Sequence, residues 1–206
     1  MNRIAILGAG GHGKVIGEIA LLSGWNSVDF YDDGEVTKKS SEHFPILGGV
    51  ASLFENSDYY DGFHVAIGDN QTRLHILSKF LELGMPCPNL ISPSSVISQS
   101  VILGSGISIM ANVVVTTNAI LGNGVILNTS CSVDHDCRLE SGVHIGPGAH
   151  LAGDVSVGRC SWIGIGSTVI PGKVIGENTI IGAGSAVISD IPNGVTAVGV
   201  PSKIIK

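Results

Sequence analysis

VILNTSCSVDHDCRLESGVHIGPGAHLAGDVSVG (residues 125–158) carries an aliphatic residue at every sixth place: Leu127, Val133, Leu139, Ile145, Leu151 and Val157. Followed toward the amino terminus, the column continues through Leu121, Val115, Ile109, Leu103, Ile97 and Ile91. Toward the carboxy terminus it continues through Ile163, Val169, Ile175, Ile181 and Val187. It never slips, and at 44% hydrophobic composition chance does not produce such a run. A second column lies two residues before the first: Val101, Ile107, Val113, Ala119, Val125, Cys131, Cys137, Val143, Ala149, Val155, Ser161 and Ser167. Gly often follows the aliphatic column, as at Gly104, Gly122, Gly146, Gly158, Gly164, Gly176 and Gly182. A period of six is neither the 3.6 of a helix nor simply the 2 of a strand. It fits a short strand and a tight turn, repeated, with three such units closing one triangular coil of about eighteen residues. The aliphatic column then points inward and stacks on its copy in the next coil, about 4.8 Å away. The unbroken register implies that no loop is inserted into the coils.

Composition agrees with tight turns around a thin core. The 206 residues include 29 Gly, with 5% aromatic and 14% charged residues. That length fits one or two domains. The net charge of −6 comes without a Lys/Arg stripe, so nucleic acid is not an expected partner. No run of eighteen apolar residues occurs, so no membrane span is expected. Met1 to Leu7 enters a strand pattern directly, without the regions of a signal peptide, and a cytoplasmic location is expected. The four cysteines, Cys87, Cys131, Cys137 and Cys160, form no CxxC pair and read as buried, reduced thiols.

The first 88 residues follow another pattern. Arg3–Leu7 reads as a strand, followed by Gly8-Ala9-Gly10-Gly11-His12-Gly13 and a helix over Lys14–Leu22. A second strand, Val28–Tyr31, ends at Asp32-Asp33-Gly34. A third, His64–Ile67, leads through Gly68-Asp69-Asn70 into a helix reaching Leu83. Strand and helix alternate as in a small parallel α/β domain of Rossmann type. The organisation expected is therefore 1–88 for nucleotide-sugar binding and 89–206 for the coil, with a short tail. The glycine loop places backbone N–H groups where phosphate binds at a helix start. Its spacing also matches GxGxxG, which keeps dinucleotide binding open, as it does a merely structural turn. A single nucleotide, such as a nucleotide-sugar, suits a domain half the usual dinucleotide size. Asp32 and Asp33 stand where ribose or base groups would lie.

Several motifs occur together: the glycine loop, Asp32-Asp33, Ile67-Gly68-Asp69-Asn70, Asn128-Thr129-Ser130, Val133-Asp134-His135-Asp136-Cys137, and the ending Val198-Gly199-Val200-Pro201-Ser202-Lys203. The set resembles the bacterial sugar acyltransferases related to sialic-acid O-acetyltransferases. It is most similar to the UDP-4-amino-sugar N-acetyltransferases of the bacillosamine pathway, over nearly the whole chain. The resemblance implies an α/β Rossmann-like half-domain followed by a left-handed parallel β-helix. It implies a homotrimer with active sites at subunit interfaces, acetyl-CoA in the groove between neighbouring β-helices, and a UDP-sugar on the amino-terminal domain. It makes His135 catalytic and Asp136 its orienting acid. Many members carry Glu at that place, so Asp136 is a departure with a shorter reach. It assigns His144 and Ile165 to the cofactor, and Gly10, Gly11, His12, Asp32, Asp33 and Gly68 to the nucleotide-sugar.

The residues argue in the same direction. His135 follows the inward Val133 by two, a turn position, and stands between Asp134 and Asp136. A neighbouring carboxylate fixes an imidazole's tautomer and raises its basicity. Eighteen residues later comes Gly153, which coil geometry stacks over His135 and which offers a backbone N–H to an oxyanion. His144 and His150 each precede an inward aliphatic residue, so both point outward on successive faces. Their spacing does not match three-His zinc sites built across β-helix interfaces, and no metal is expected. His43, His64 and His75 show no partner pattern and read as surface or core histidines. The reaction expected is transfer of acetyl from acetyl-CoA to the 4-amino group of a UDP-4-amino-4,6-dideoxy-sugar, with His135 as general base. O-acetylation of a sugar hydroxyl, or a non-catalytic nucleotide-sugar scaffold, remains open at this point.

Overall fold

A computed structural model describes residues 2–34, 40–41 and 44–206, and the side chains of all of these but 40 and 41. His43 lies outside the described residues. The chain forms two compact units, Met1–Pro93 and Ser94–Lys206. The division falls at 93/94 rather than 88/89 because Leu90–Ile91 stays with the first helix, where Ser23 Oγ donates to the Ile91 carbonyl at 3.0 Å.

In the first unit, β1 (Arg3–Leu7), α1 (Gly11–Leu22), β2 (Ser27–Tyr31), β3 (Ser40–Ser41), β4 (Phe44–Gly48), α2 (Val50–Glu55), β5 (Gly62–Val65) and α3 (Asn70–Glu82) build one sheet with the order β3-β4-β2-β1-β5. β4, β2, β1 and β5 are parallel, and β3 joins the edge antiparallel. The strands on either side of β1 are β2 and β5, so the direction of winding reverses at the β1–β5 pair. In open parallel sheets such a reversal opens the ligand crevice at the strand carboxyl ends. The loops leaving β1 and β5, Gly8–Gly10 and Ala66–Asp69, therefore meet there. A Cβ on Gly8, whose φ is +108°, would lie 2.6 Å from the Ala66 carbonyl oxygen.

Two elements differ by two or more residues from those the sequence predicts. α1 starts at Gly11 rather than Lys14, because the end of the glycine loop is itself the first helical turn, with Lys14 N–H donating to Gly10 O at 3.1 Å. β5 spans Gly62–Val65 rather than His64–Ile67. Its first residue is a glycine held small by Trp25, whose Cη2 would lie 2.6 Å from a Cβ at that place. A glycine lowers the strand signal where the strand begins. β4 and α2 have no clear signal in the sequence, because Pro45 and the Gly48-Gly49 pair mask the pattern.

In the second unit, strands of two residues, or three at Thr196–Val198, follow one another around three sheets that are parallel except for the last strand, Lys203–Ile204, which pairs antiparallel. The register is eighteen residues as far as Val187, with Val115 pairing with Val133, Leu121 with Leu139 and Leu127 with Ile145, and it shortens to sixteen in the last turn, where Ile181 pairs with Ala197. Every member of the aliphatic column from Ile109 to Val187 is at most 2% exposed. Ile97 and Leu103 are half-buried, because their strands have a paired neighbour on one side alone. The unit is the parallel β-helix that the six-residue period specified. Ser161 and Ser167 replace apolar residues in the second inward column without cost in unmet polarity. Their hydroxyls donate to the carbonyls of Gly176 and Gly182 at 2.6 and 2.8 Å.

Corner positions take left-handed backbone. In one column, Asn118 (φ 59°), Asp136 (59°), Asp154 (58°) and Gly172 (68°) repeat every eighteen residues. Asn, Asp and Gly are the residues that tolerate this conformation. None of the four cysteines is in a disulfide. Cys131 and Cys137 face inward as expected, and burial pushes the Cys131 thiol up to about 12. Cys87 and Cys160 are only half-buried, Cys160 because it occupies a left-handed corner (φ 57°) instead of an inward column. No described helix is long and apolar enough to cross a membrane.

Candidate active site

The corner after Ser132–Val133 assembles a charged cluster on exposed backbone. His135 Nδ1 and Asp136 Oδ2 are 2.9 Å apart, with both side chains about half exposed. Asp136 adopts the left-handed conformation required there and still reaches the ring, so the shorter acid meets the need that a longer one would. Asp134 Oδ1 accepts the His135 backbone N–H at 2.8 Å and the Thr116 hydroxyl at 2.9 Å. The hydrogen bond to Asp136 raises the imidazole pKa, and the charges of Asp134, Asp136 and Asp154 raise it further. In return the pKa values of Asp136 and Asp134 are lowered, chiefly by their hydrogen bonds to the His135 side chain and backbone N–H respectively. With Nδ1 facing a carboxylate, the neutral ring keeps its proton on Nδ1 and presents Nε2 as a base.

Gly153 lies against that ring, as the eighteen-residue ruler requires. A Cβ built on Gly153 would collide with Cε1 and Nε2 of His135 and come within 3.0 Å of Nδ1. The coil above is tied to His135 as well, through Asp154 N–H to His135 O at 2.9 Å.

His144 and His150 lie on successive faces. His144 is half-buried, with Nε2 3.1 Å from Asn128 Nδ2 and its ring tilted over Trp162 at 6.1 Å between centroids. Ile165, at the next corner, is 55% exposed. His150 is exposed on the face that carries Ser132, whose hydroxyl is 2.8 Å from His150 Nδ1. The described residues contain no group of three or more His, Cys, Asp or Glu able to hold a metal ion.

The first unit's glycine loop divides by function. Gly8 and Gly13 are small because backbone presses on them: a Cβ on Gly13 would collide with the Gly8 carbonyl oxygen. Gly10 and Gly11 have nothing within 4 Å of such a Cβ, and neither has Gly68 across the crevice. Their missing side chains leave open space in front of a helix start that no side chain caps. Asp32 holds the loop from below, with Oδ2 accepting from Ala9 N–H and Oδ1 from Gly34 N–H, both at 2.8 Å. Asp33 Oδ1 accepts the Val50 N–H at the start of α2, 2.9 Å away. Both acids thus have structural work in addition to any ligand contact. His12 is half-buried in the first turn of α1.

The model of the PglD N-terminal domain family matches residues 3–80. The perosamine N-acetyltransferase of Caulobacter crescentus, solved as a histidine-to-asparagine mutant with CoA and GDP-perosamine, is 38% identical. Its match covers 100% of this chain and 98% of that one, with a TM-score of 0.96. The chain belongs to the hexapeptide-repeat sugar acyltransferase family. A second member, the acetyltransferase domain of PglB from Neisseria gonorrhoeae FA1090 in complex with acetyl coenzyme A, is 40% identical over 100% of both chains, with a TM-score of 0.95. Sequence similarity to the galactoside O-acetyltransferase of Escherichia coli K12 is local: 46% over 52 residues, 25% of this chain and 26% of that protein. The chain thus spans about a quarter of the length of the curated relatives it matches.

His135, Asp134, Asp136 and Gly153 lie together, as the spacing predicts. Thr116 and Asn118, which bond Asp134 and Asp136 from one coil earlier, and Ser132 beside His150 are additions that the structure makes to this group. The signal was available: the same eighteen-residue ruler that leads forward from His135 to Gly153 leads back from Asp134 to Thr116 and from Asp136 to Asn118.

Proposed function

We propose that the protein moves the acetyl group of acetyl-CoA to the 4-amino group of a UDP-4-amino-4,6-dideoxy-sugar. His135 is the general base, and Asp136 fixes its tautomer and direction. The observation that carries this reading is the His135 Nδ1–Asp136 Oδ2 contact of 2.9 Å on an accessible corner, which leaves Nε2 as the basic nitrogen of the neutral ring. Relatives of 38–40% identity bind CoA or acetyl-CoA, and one binds a nucleotide-linked sugar and is named an N-acetyltransferase.

In the reaction, the sugar amine attacks the thioester carbonyl while Nε2 takes a proton from the nitrogen. The tetrahedral oxyanion accepts a hydrogen bond from the Gly153 N–H. Its collapse breaks the C–S bond, and the proton on Nε2 passes to the departing thiolate. Both substrates meet directly, so no acyl-enzyme is needed and proximity supplies much of the rate. Gly10, Gly11, His12 and Gly68 line the nucleotide-sugar crevice, with Asp32 and Asp33 beside it. In a homotrimer, His144 and Ile165 line the acetyl-CoA groove between neighbouring β-helices.

The local match to a galactoside O-acetyltransferase favours, as the second reading, transfer to a sugar hydroxyl. One screen separates the two: thiol release from acetyl-CoA with UDP- and GDP-linked 4-amino-sugars and with hydroxyl-bearing sugars, the products read by mass. His135→Ala lowers kcat on the accepted sugar by about 10²–10⁴. A near wild-type rate in that variant removes the general-base assignment, and turnover of hydroxyl sugars alone replaces the N-acetyl reading.

A further inference from the structure

Asp136 has two carboxylate oxygens, and His135 uses one. The other, Oδ1, accepts from the side-chain amide of Asn118, Nδ2 to Oδ1 3.2 Å. Asn118 stands one coil earlier in the same corner column. Its backbone N–H donates to Ser100 Oγ at 3.0 Å, and Ser100 Oγ lies 2.8 Å from Thr117 Oγ1. Thr117 Oγ1 in turn sits 3.5 Å from Asn118 Oδ1, a long contact on the acceptor end of the amide. The hydroxyl network lies on the oxygen side of Asn118, which leaves Nδ2 for the acid.

A carboxylate held at one oxygen turns freely about its Cβ–Cγ bond, and each turn carries the imidazole's partner away from Nδ1. A second anchor on the far oxygen stops that rotation. This logic is familiar from groups that orient a ligand through an intermediary, where loss typically costs about 10–100-fold. We propose that Asn118 is a positioning residue of the catalytic corner, acting on His135 through Asp136. The inference deepens the general-base reading and rests on it.

A competing explanation is conformational. Asn118 has a φ of 59°, and Asn is favoured there whatever it bonds, as at Asn112 and Asn178. Glycine separates the two explanations, because it satisfies the left-handed backbone and lacks the amide. The charged groups acting on this pair are Asp134 and Asp154 on the ring and Arg138 on Asp136.

The test measures Asn118→Gly and Asn118→Asp beside His135→Ala, using the full chain and the sugar identified by the screen. Asn118→Gly is expected to lower kcat about tenfold at unchanged KM for both substrates. Ring ¹⁵N shifts should show His135 losing its single Nδ1–H tautomer. Asn118→Asp sets a like charge against Asp136 and raises the His135 pKa, so the acid limb of the kcat/KM profile moves to higher pH. Wild-type kcat, tautomer and pH profile in Asn118→Gly, with His135→Ala inactive, overturns the proposal and leaves the base assignment standing. An active His135→Ala overturns both.

Discussion

A side chain at Gly153 and the imidazole of His135 would occupy the same space: a methyl group there would collide with Cε1 and Nε2 of the ring. The imidazole therefore owes its position to a missing side chain one coil away as much as to the carboxylate beside it. Gly153 is not in the left-handed region, so alanine is compatible with its backbone. Gly153→Ala keeps the N–H offered to the oxyanion but pushes the ring aside. It should lower kcat about 10–100-fold, since a displacement of about 1 Å costs on the order of 10² in rate. Thermal unfolding should change little, because the ring is about half exposed and can swing toward solvent. A variant with wild-type kcat shows that the ring's contact with Gly153 is unimportant.

The pH profile tests Asp136. In the proposed mechanism the base must be neutral, and the His135 pKa is held above the ordinary histidine value of about 6.5 by its hydrogen bond to Asp136 and by the surrounding acids. The acid limb of kcat/KM should therefore lie above that value. Asp136→Asn keeps a residue suited to φ 59° but removes the charge that favours the imidazolium and replaces an acceptor-only group by an amide that can turn either its oxygen or its NH2 to the ring. The His135 pKa then falls and the acid limb moves to lower pH. The plateau drops by about 10–10³, because the tautomer is no longer enforced. A limb that stays in place in the variant would mean that another group titrates.

The glycine loop offers a separation between folding and binding. Gly13→Ala drives a methyl into the Gly8 carbonyl oxygen, with an expected cost of about 1–3 kcal/mol seen as a lower Tm. Gly10→Ala and Gly11→Ala meet nothing within 4 Å and should leave Tm unchanged. If a nucleotide-sugar fills that space, their KM for it rises several-fold while KM for acetyl-CoA stays constant. Unchanged KM for both substrates would move the sugar-nucleotide site away from this loop.

The coil was legible because its physics is one-dimensional. Each inward residue contacts its copy eighteen residues away, so a single spacing read from the sequence located strands, corners and the Gly153–His135 contact together. The α/β unit was legible in outline and not in detail. The start of β5 is concealed by Gly62, which is glycine because Trp25 fills the space, and β4 carries Pro45 beside the two-residue edge strand β3. Such residues are selected by partners distant in sequence, which local pattern does not report. Asp32 and Asp33 show the same limit. Their position beside the crevice could be read from the sequence, and their bonds to Ala9 and Val50 could not.

His64 gives a stability test independent of catalysis. It is fully buried on β5 with Nδ1 3.2 Å from the Pro88 carbonyl oxygen. Burial pushes its pKa down to about 4, the Pro88 contact opposes that shift, and the Arg73 charge adds to it. In the unfolded chain the same group titrates near 6.5. Between those values the unfolded state binds the proton and the folded state does not, so stability is fully present above about pH 6.5 and is lost as pH falls toward 4. The slope from this one group approaches about 1.4 kcal/mol per pH unit. His64→Asn supplies a donor to Pro88 without a titrating ring. Urea midpoints at pH 7 and pH 4.5 should fall further apart for the wild-type chain than for the variant. Asp69 also titrates in acid, its pKa lowered by Thr72, but it contributes equally to both chains and cancels in the difference. Equal pH dependence in the two chains would show that His64 takes up its proton in the folded state at an ordinary pH.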